Sequence, residues 1–183
     1  PYLVSYMPID AHIPFCEWWY IFYVLWYPLL GGVGLYLAFR DPEGFKRYMT
    51  YIGVSFFAAL LLFALLPNGQ DLRPDLETLG RENLFTRLIG VLYASDTNTN
   101  VCPSLHVVGS LAAWFAVLHN NRLRRTRWVP VAVGVLACLI SVSTVMIKQH
   151  SLLDVIVGVP YALILYRLLY WSCGRVITPK NTP

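Results

Sequence analysis

Residues 128–171 read WVPVAVGVLACLISVSTVMIKQHSLLDVIVGVPYALILYRLLYW, two long apolar runs broken by the polar stretch Lys148-Gln149-His150-Ser151. A bilayer core of about 30 Å takes roughly 20 apolar residues per helix, so each run reads as a membrane span and the polar break as the turn joining them at one membrane face. Working outward, apolar stretches of similar length occur at residues 17–39, 48–66 and 103–119, which with 128–147 and 152–171 predict five spans. With 57% hydrophobic and 13% charged residues and a mean hydropathy of +0.54, the chain is too apolar for a soluble domain of its length. The expected fold class is therefore all-α, a polytopic transmembrane helix bundle forming a single membrane-embedded domain over residues 1–183. Trp18, Trp19, Tyr20, Phe22, Tyr23, Trp26 and Tyr27 mark one membrane interface, where amphipathic rings prefer to sit.

Charge sets the expected orientation. Arg40, Lys46 and Arg47 fall in one connection, Arg122, Arg124, Arg125 and Arg127 in another, and Arg175 and Lys180 in the tail. An alternating five-helix path puts all three on the same side, which the positive-inside rule makes cytoplasmic. Arg167 lies near the inner end of the last span, within snorkelling reach of that surface. The opposite side holds the one long connection, residues 67–102, a natural outer-face position for function. Within it Asn83 is a helix-capping residue, and Leu84, Phe85, Leu88, Ile89 and Leu92 recur at helical spacing, as in a helix lying along the membrane surface. The net charge of +4 forms no stripe of basic and aromatic residues, so no nucleic-acid partner is expected. Cys16, Cys102, Cys138 and Cys173 show no paired spacing, which supports neither a zinc site nor a disulfide framework.

Three polar constellations fall at the outer ends of the spans: Asn68-Gly69-Gln70-Asp71-Leu72-Arg73-Pro74, Cys102-Pro103-Ser104-Leu105-His106, and Lys148-Gln149-His150-Ser151-Leu152-Leu153-Asp154. Pro103 suits the first turn of a helix, which places Ser104 at the positive end of the helix dipole, an anion site. His106 lies less than a turn deeper, able to give a proton to whatever binds there; it reads equally as a buried, hydrogen-bonded histidine. His150 and Asp154 are four apart, the spacing at which a carboxylate holds one ring N–H while the other nitrogen faces a reactant. Ser151-x-x-Asp154 also matches a capping box, which would explain Asp154 without chemistry; the two readings are compatible. Arg73 offers a planar fork matched to phosphate oxygens, or is a solvated surface charge. Lys148 faces the same choice between phosphate and lipid head groups. His106, His150 and Asp154 could imitate a two-histidine, one-carboxylate iron site, but the surrounding cations argue for an anion, so no metal and no cofactor is expected.

Arg73-Pro74, then Pro103-Ser104-Leu105-His106, then Ser143 through His150 to Asp154, resembles in order and spacing the three-part signature of the type 2 phosphatidic acid phosphatase superfamily. Two positions depart from it. The family lysine falls at Leu66, and the arginine of the third motif at Thr144, with Lys148 as the nearest substitute cation. The Lys-Gln-His form is similar to the branch that includes inositol phosphorylceramide synthases. The family core has six membrane helices against the five counted, which implies a further helix before Pro1. The resemblance also implies roles: His150 as nucleophile forming a phosphohistidine, Asp154 orienting it, His106 as general acid and then base, and Arg73, Ser104 and Lys148 as phosphate ligands.

The expected activity is metal-independent hydrolysis of a membrane lipid's phosphomonoester or diphosphate at the non-cytoplasmic face of a bacterial plasma membrane. Transfer of a phospho head group to an acceptor lipid is the alternative within the same chemistry. A transporter or structural protein is the alternative of another class, disfavoured because the spans carry almost no mid-membrane charge. A vanadate-binding haloperoxidase would share the phosphate pocket, but those enzymes are soluble. The partners expected are a membrane lipid substrate and the bilayer itself.

Overall fold

The computed structural model describes residues 2–174, with side chains as far as Tyr170; the expected tail cations Arg175 and Lys180 and the Cys173 side chain fall outside it. The architecture is all-α. A short helix α1 (Tyr20–Val24) runs into α2 (Trp26–Arg40), then come α3 (Pro42–Leu65), α4 (Leu84–Ser95), α5 (Leu105–His119), α6 (Trp128–Met146) and α7 (Leu152–Gly174). Two short strands, β1 (Leu3–Val4) and β2 (Asn68–Gly69), pair in parallel and tie the N-terminal segment to the start of the long connection.

Among the described residues, four helical stretches are long and apolar enough to cross a membrane: Glu17–Arg40, Pro42–Leu65, Trp128–Met146 and Leu152–Tyr170. The fifth expected span is shorter than that. α5 has 15 residues, starts at Leu105 rather than Pro103, and at 1.5 Å per residue is about 22 Å long. Its surroundings explain why this suffices. α2, α3, α6 and α7 all pack against α5, and Val107, Val108, Ala112, Ala113, Phe115, Ala116 and Val117 on it are buried. A helix enclosed by protein has no bilayer thickness to match. Close approach is enforced by Gly158 of α7, where a Cβ would lie 3.2 Å from Val107 Cβ and 3.5 Å from the Ser104 amide nitrogen.

Two tyrosines cross-link α3 and α7 through main-chain carbonyls, Tyr51 to Ala162 at 2.8 Å and Tyr161 to Ser55 at 2.6 Å. Inside a bilayer such hydroxyls need a protein partner, and these find one. At one end of the bundle α2 passes into α3 through Asp41 alone. Lys46 and Arg47, expected in a loop, lie instead in the first turns of α3, because Asp41 caps the helix at Gly44 N (2.9 Å) and Pro42 occupies its first position. Asn120, just past α5, donates to the other Asp41 oxygen at 2.8 Å and joins the two connections that carry Arg40, Arg122, Arg124, Arg125 and Arg127. These five arginines, with Lys46 and Arg47, thus gather at one end of the bundle, and the starts of α5 and α7 lie at the other.

There the long connection covers the helix ends. Asn83 caps α4 as expected, its side-chain oxygen accepting from Phe85 N at 2.9 Å and Thr86 N at 3.1 Å. Of the expected apolar face, Ile89 is fully buried in a cluster with Tyr23 and Ile147 against which Leu92 packs, whereas Leu84, expected on the same face, is exposed at the first turn.

Candidate active site

The site is built on the corner between α6 and α7. α6 ends at Met146, after which the Lys148 amide donates to Val145 O (3.1 Å) and the Gln149 amide to Thr144 O (2.9 Å). This is the paired closure of a Schellman motif, and it puts Lys148 in the left-handed region at φ 55°, a place usually taken by glycine. A non-glycine residue there costs about 1–2 kcal/mol. The His150 amide closes on Thr144 O as well, at 3.0 Å, so the reversal brings His150 to the mouth of α7. α7 then starts with a reciprocal cap: Ser151 Oγ accepts from Leu153 N at 3.1 Å, and Asp154 Oδ2 accepts from Ser151 N at 2.9 Å.

Asp154 has a second task. Its Oδ2 also faces His150 Nδ1 at 3.1 Å, while its Oδ1 accepts the Ser5 hydroxyl. A carboxylate accepts a hydrogen bond from Nδ1–H, an arrangement that in the neutral ring leaves the lone pair on Nε2. One carboxylate oxygen thus serves both the α7 cap and the His150 contact. The ring of His106 lies 5.7 Å from that of His150, centroid to centroid, in an edge-to-face arrangement. His106 packs at a tilt against the rings of Tyr23 (4.5 Å) and Trp26 (4.7 Å), and its Nε2 is buried without a hydrogen-bond partner. Ser104, the N-cap of α5, has its amide held by Asp154 O at 3.2 Å and its buried hydroxyl without a partner. Two helix N-termini, a serine hydroxyl and two histidines thus meet at one point. Unpartnered buried polar atoms are expensive in a folded protein, and a cluster of them at converging helix dipoles suits an anion.

The two candidate cations are engaged with main-chain oxygens. Lys148 Nζ donates to Asp10 O at 2.8 Å, and burial holds its ammonium below the ordinary lysine range, partly offset by Asp10. Arg73 Nη1 donates to Tyr93 O (3.2 Å) and Asp96 O (2.9 Å), and Nη2 to Thr97 O (3.0 Å). Its guanidinium lies 4.5 Å over the Tyr93 ring, its Nε is buried without a partner, and burial lowers its pKa. Beside it, Gln149 Nε2 donates to Asp96 Oδ2 at 3.0 Å and leaves Oε1 unpartnered. The Cys102 thiol is pushed up to about 12 by burial, with Asp154 adding to the effect. Cys16, Cys102 and Cys138 are free thiols.

Several supporting residues have no signal of their own in the sequence. Gln70 Nε2 donates to Lys148 O at 2.9 Å and pins the corner. Asn68 Oδ1 accepts from Val101 N and Cys102 N, both at 2.8 Å, and its amide donates to Cys102 O at 3.0 Å, which fixes the approach to α5. Asp10 is buried, accepting from Leu152 N (2.9 Å) and from the Ser151 hydroxyl (2.7 Å). Asn68 and Gln70 lie in a stretch that composition marks as polar. Ser5 and Asp10 lie where no motif points.

The sequence model of the PAP2 superfamily matches residues 47–177, which takes in most of α3, all of α4 to α7 and every residue of the cluster except those contributed from before α3. No curated protein and no solved structure matches the chain.

Proposed function

The chain belongs to the PAP2 superfamily, whose members are phosphatases and phosphotransferases acting on phosphate esters, and from that premise we propose that it hydrolyses the phosphomonoester or diphosphate of a membrane lipid. The carrying observation is the His150–Asp154 contact of 3.1 Å, with the His106 ring beside it. His150 Nε2 attacks phosphorus while His106 gives a proton to the departing alcohol oxygen. The P–O bond breaks as the N–P bond forms, and a phosphohistidine results. Asp154 compensates the positive charge that the imidazole acquires. His106, now neutral, takes a proton from water, which attacks the phosphohistidine, releases phosphate and restores His150.

The transferred group carries negative charge throughout, so its non-bridging oxygens need fixed donors. The Ser104 hydroxyl is one, at the positive end of α5. Arg73 Nε is another, and the ammonium of Lys148, with three N–H donors and one held by Asp10 O, is the third. The basic residues at the far end of the bundle support an orientation with that end cytoplasmic and the site on the outer face. The four long apolar stretches fit a multi-pass membrane protein, which brings the reacting groups to head-group depth.

The test is phosphate release from a panel of lipid phosphates by detergent-solubilised protein, with EDTA present and with His150→Ala as control. Release that resists EDTA and vanishes in the variant is expected; release that persists in the variant refutes the nucleophile.

A further inference from the structure

Residues 2–16 lie outside the stretch matched by the family, yet they are built into the candidate site at four points. The segment is anchored at both ends. Leu3 N and Ser5 N donate to Pro67 O (2.8 Å) and Gly69 O (2.7 Å), and Cys16 N donates to Met146 O (3.0 Å). Between the anchors, the Ser5 hydroxyl donates to Asp154 Oδ1, the Asp10 carboxylate takes Ser151 Oγ and Leu152 N, and the Asp10 carbonyl takes Lys148 Nζ. A further oxygen contact, Met7 N to Asp10 Oδ2 at 2.8 Å, holds the carboxylate in place. Ser5 is 4% exposed and Asp10 1%, although the strand residues Leu3 and Val4 beside them are largely open. Two polar side chains are buried in a segment with little apolar burial of its own, and apart from Met7 N their partners belong to the corner that carries His150.

We infer that this N-terminal segment is part of the catalytic apparatus, with Ser5 a positioning residue that sets the Asp154 carboxylate against His150 and Asp10 one that sets the start of α7. The inference rests on the proposed hydrolysis. Asp154 has two oxygens and two demands: the α7 cap and His150 share Oδ2, and beside the weakly donating Cys102 thiol the carboxyl plane is fixed against rotation chiefly by a donor on Oδ1. Ser5 is that donor. Without it the carboxylate can turn about its Cβ–Cγ bond and still cap α7, at the expense of the Nδ1 contact. The ring of His150 then loses its tautomer and its aim, while the groups proposed to bind phosphate, Ser104, Arg73 and Lys148, are untouched.

The experiment compares Ser5→Ala, Ser5→Thr and Asp10→Asn with the unsubstituted protein, measuring kcat and KM on a lipid phosphate that the wild type hydrolyses, with the thermal midpoint of each. Outer partners of a reacting group typically matter by about 10–100-fold. Ser5→Ala is expected to lower kcat by about that factor with KM unchanged, and Ser5→Thr, which keeps the hydroxyl, to restore most of it. Asp10→Asn removes an acceptor facing two donors and is expected to lower kcat and the midpoint together. Ser5→Ala with wild-type kcat overturns the inference and leaves the hydrolysis standing, as does a loss that Ser5→Thr fails to restore. A wild type without any His150-dependent phosphate release overturns the hydrolysis itself, and this inference with it.

Discussion

Asp154→Asn separates the two tasks of one carboxylate. In the wild type one oxygen takes Ser151 N–H at 2.9 Å and His150 Nδ1–H at 3.1 Å, and the other takes the Ser5 hydroxyl. An asparagine with its oxygen in the first position keeps both of those contacts, and its NH2 donates to Ser5, whose hydroxyl reverses to accept. The cap survives, so the fold loses only the difference between charged and neutral hydrogen bonds, about 1 kcal/mol. Turnover loses much more, because attack on phosphorus makes the imidazole positive beside a group that no longer carries charge. Two unit charges about 4 Å apart at an effective dielectric near 20 interact by about 4 kcal/mol. At 1.36 kcal/mol per factor of ten, kcat falls by about 10³-fold. Asp154→Ala, by contrast, strands three buried donors at about 1–3 kcal/mol each and should unfold the corner. The assay is single-turnover phosphate release alongside thermal unfolding in the same detergent. Asp154→Asn turning over within about threefold of wild type would refute the charge argument, and an Asn variant as unstable as Ala would refute the geometry.

Three further outcomes follow from the same contacts. His106→Ala should lower kcat by about 10²–10⁴-fold with a smaller change in KM, since its unpartnered Nε2 serves proton transfer; equal activity would remove it from the mechanism. Asn68→Ala deletes the acceptor shared by Val101 N and Cys102 N and should cost about 2–4 kcal/mol in detergent unfolding, with activity lost in proportion to the unfolded fraction. Cys102, its thiol pushed up to about 12 by burial, holds almost no thiolate at pH 8, so iodoacetamide should label it about 10³-fold more slowly in the folded protein than after unfolding, as read by mass spectrometry.

What the sequence disclosed divides by distance along the chain. His150 and Asp154 are four apart and Ser151 three before the same carboxylate, so the pairings were legible from short spacing, although His150 and Ser151 sit just ahead of α7 and the reversal after α6 is what aims the ring. Ser104 and His106 were legible for a similar reason, since Pro103 announces a helix start. The cap at Asn83 was read correctly too. The start of α3 could have been read from Asp41-Pro42, but the charges of Lys46 and Arg47 suggested a loop and outweighed the capping signal. Ser5, Asp10 and Gln70 were out of reach, because their partners lie 149, 142 and 78 residues away and no periodicity encodes such pairs. The shortness of α5 was hidden for a different reason: an apolar run looks the same whether its neighbours are lipid tails or other helices.

Enclosure of α5 also bears on how the protein meets membranes of different thickness. A hydrophobic stretch that is too long or too short for its bilayer answers by tilting, or by deforming the lipid around it. Here that adjustment falls to the outer helices, whose exposed residues, such as Phe57 and Leu61 on α3 and Val131 and Val135 on α6, are the ones that face lipid. The helix that carries Ser104 and His106 is sheathed by them, and its register against α7 is held by the Ser104–Asp154 contact and the Gly158 approach. The groups proposed to react are thereby decoupled from the thickness of the lipid in which the bundle sits.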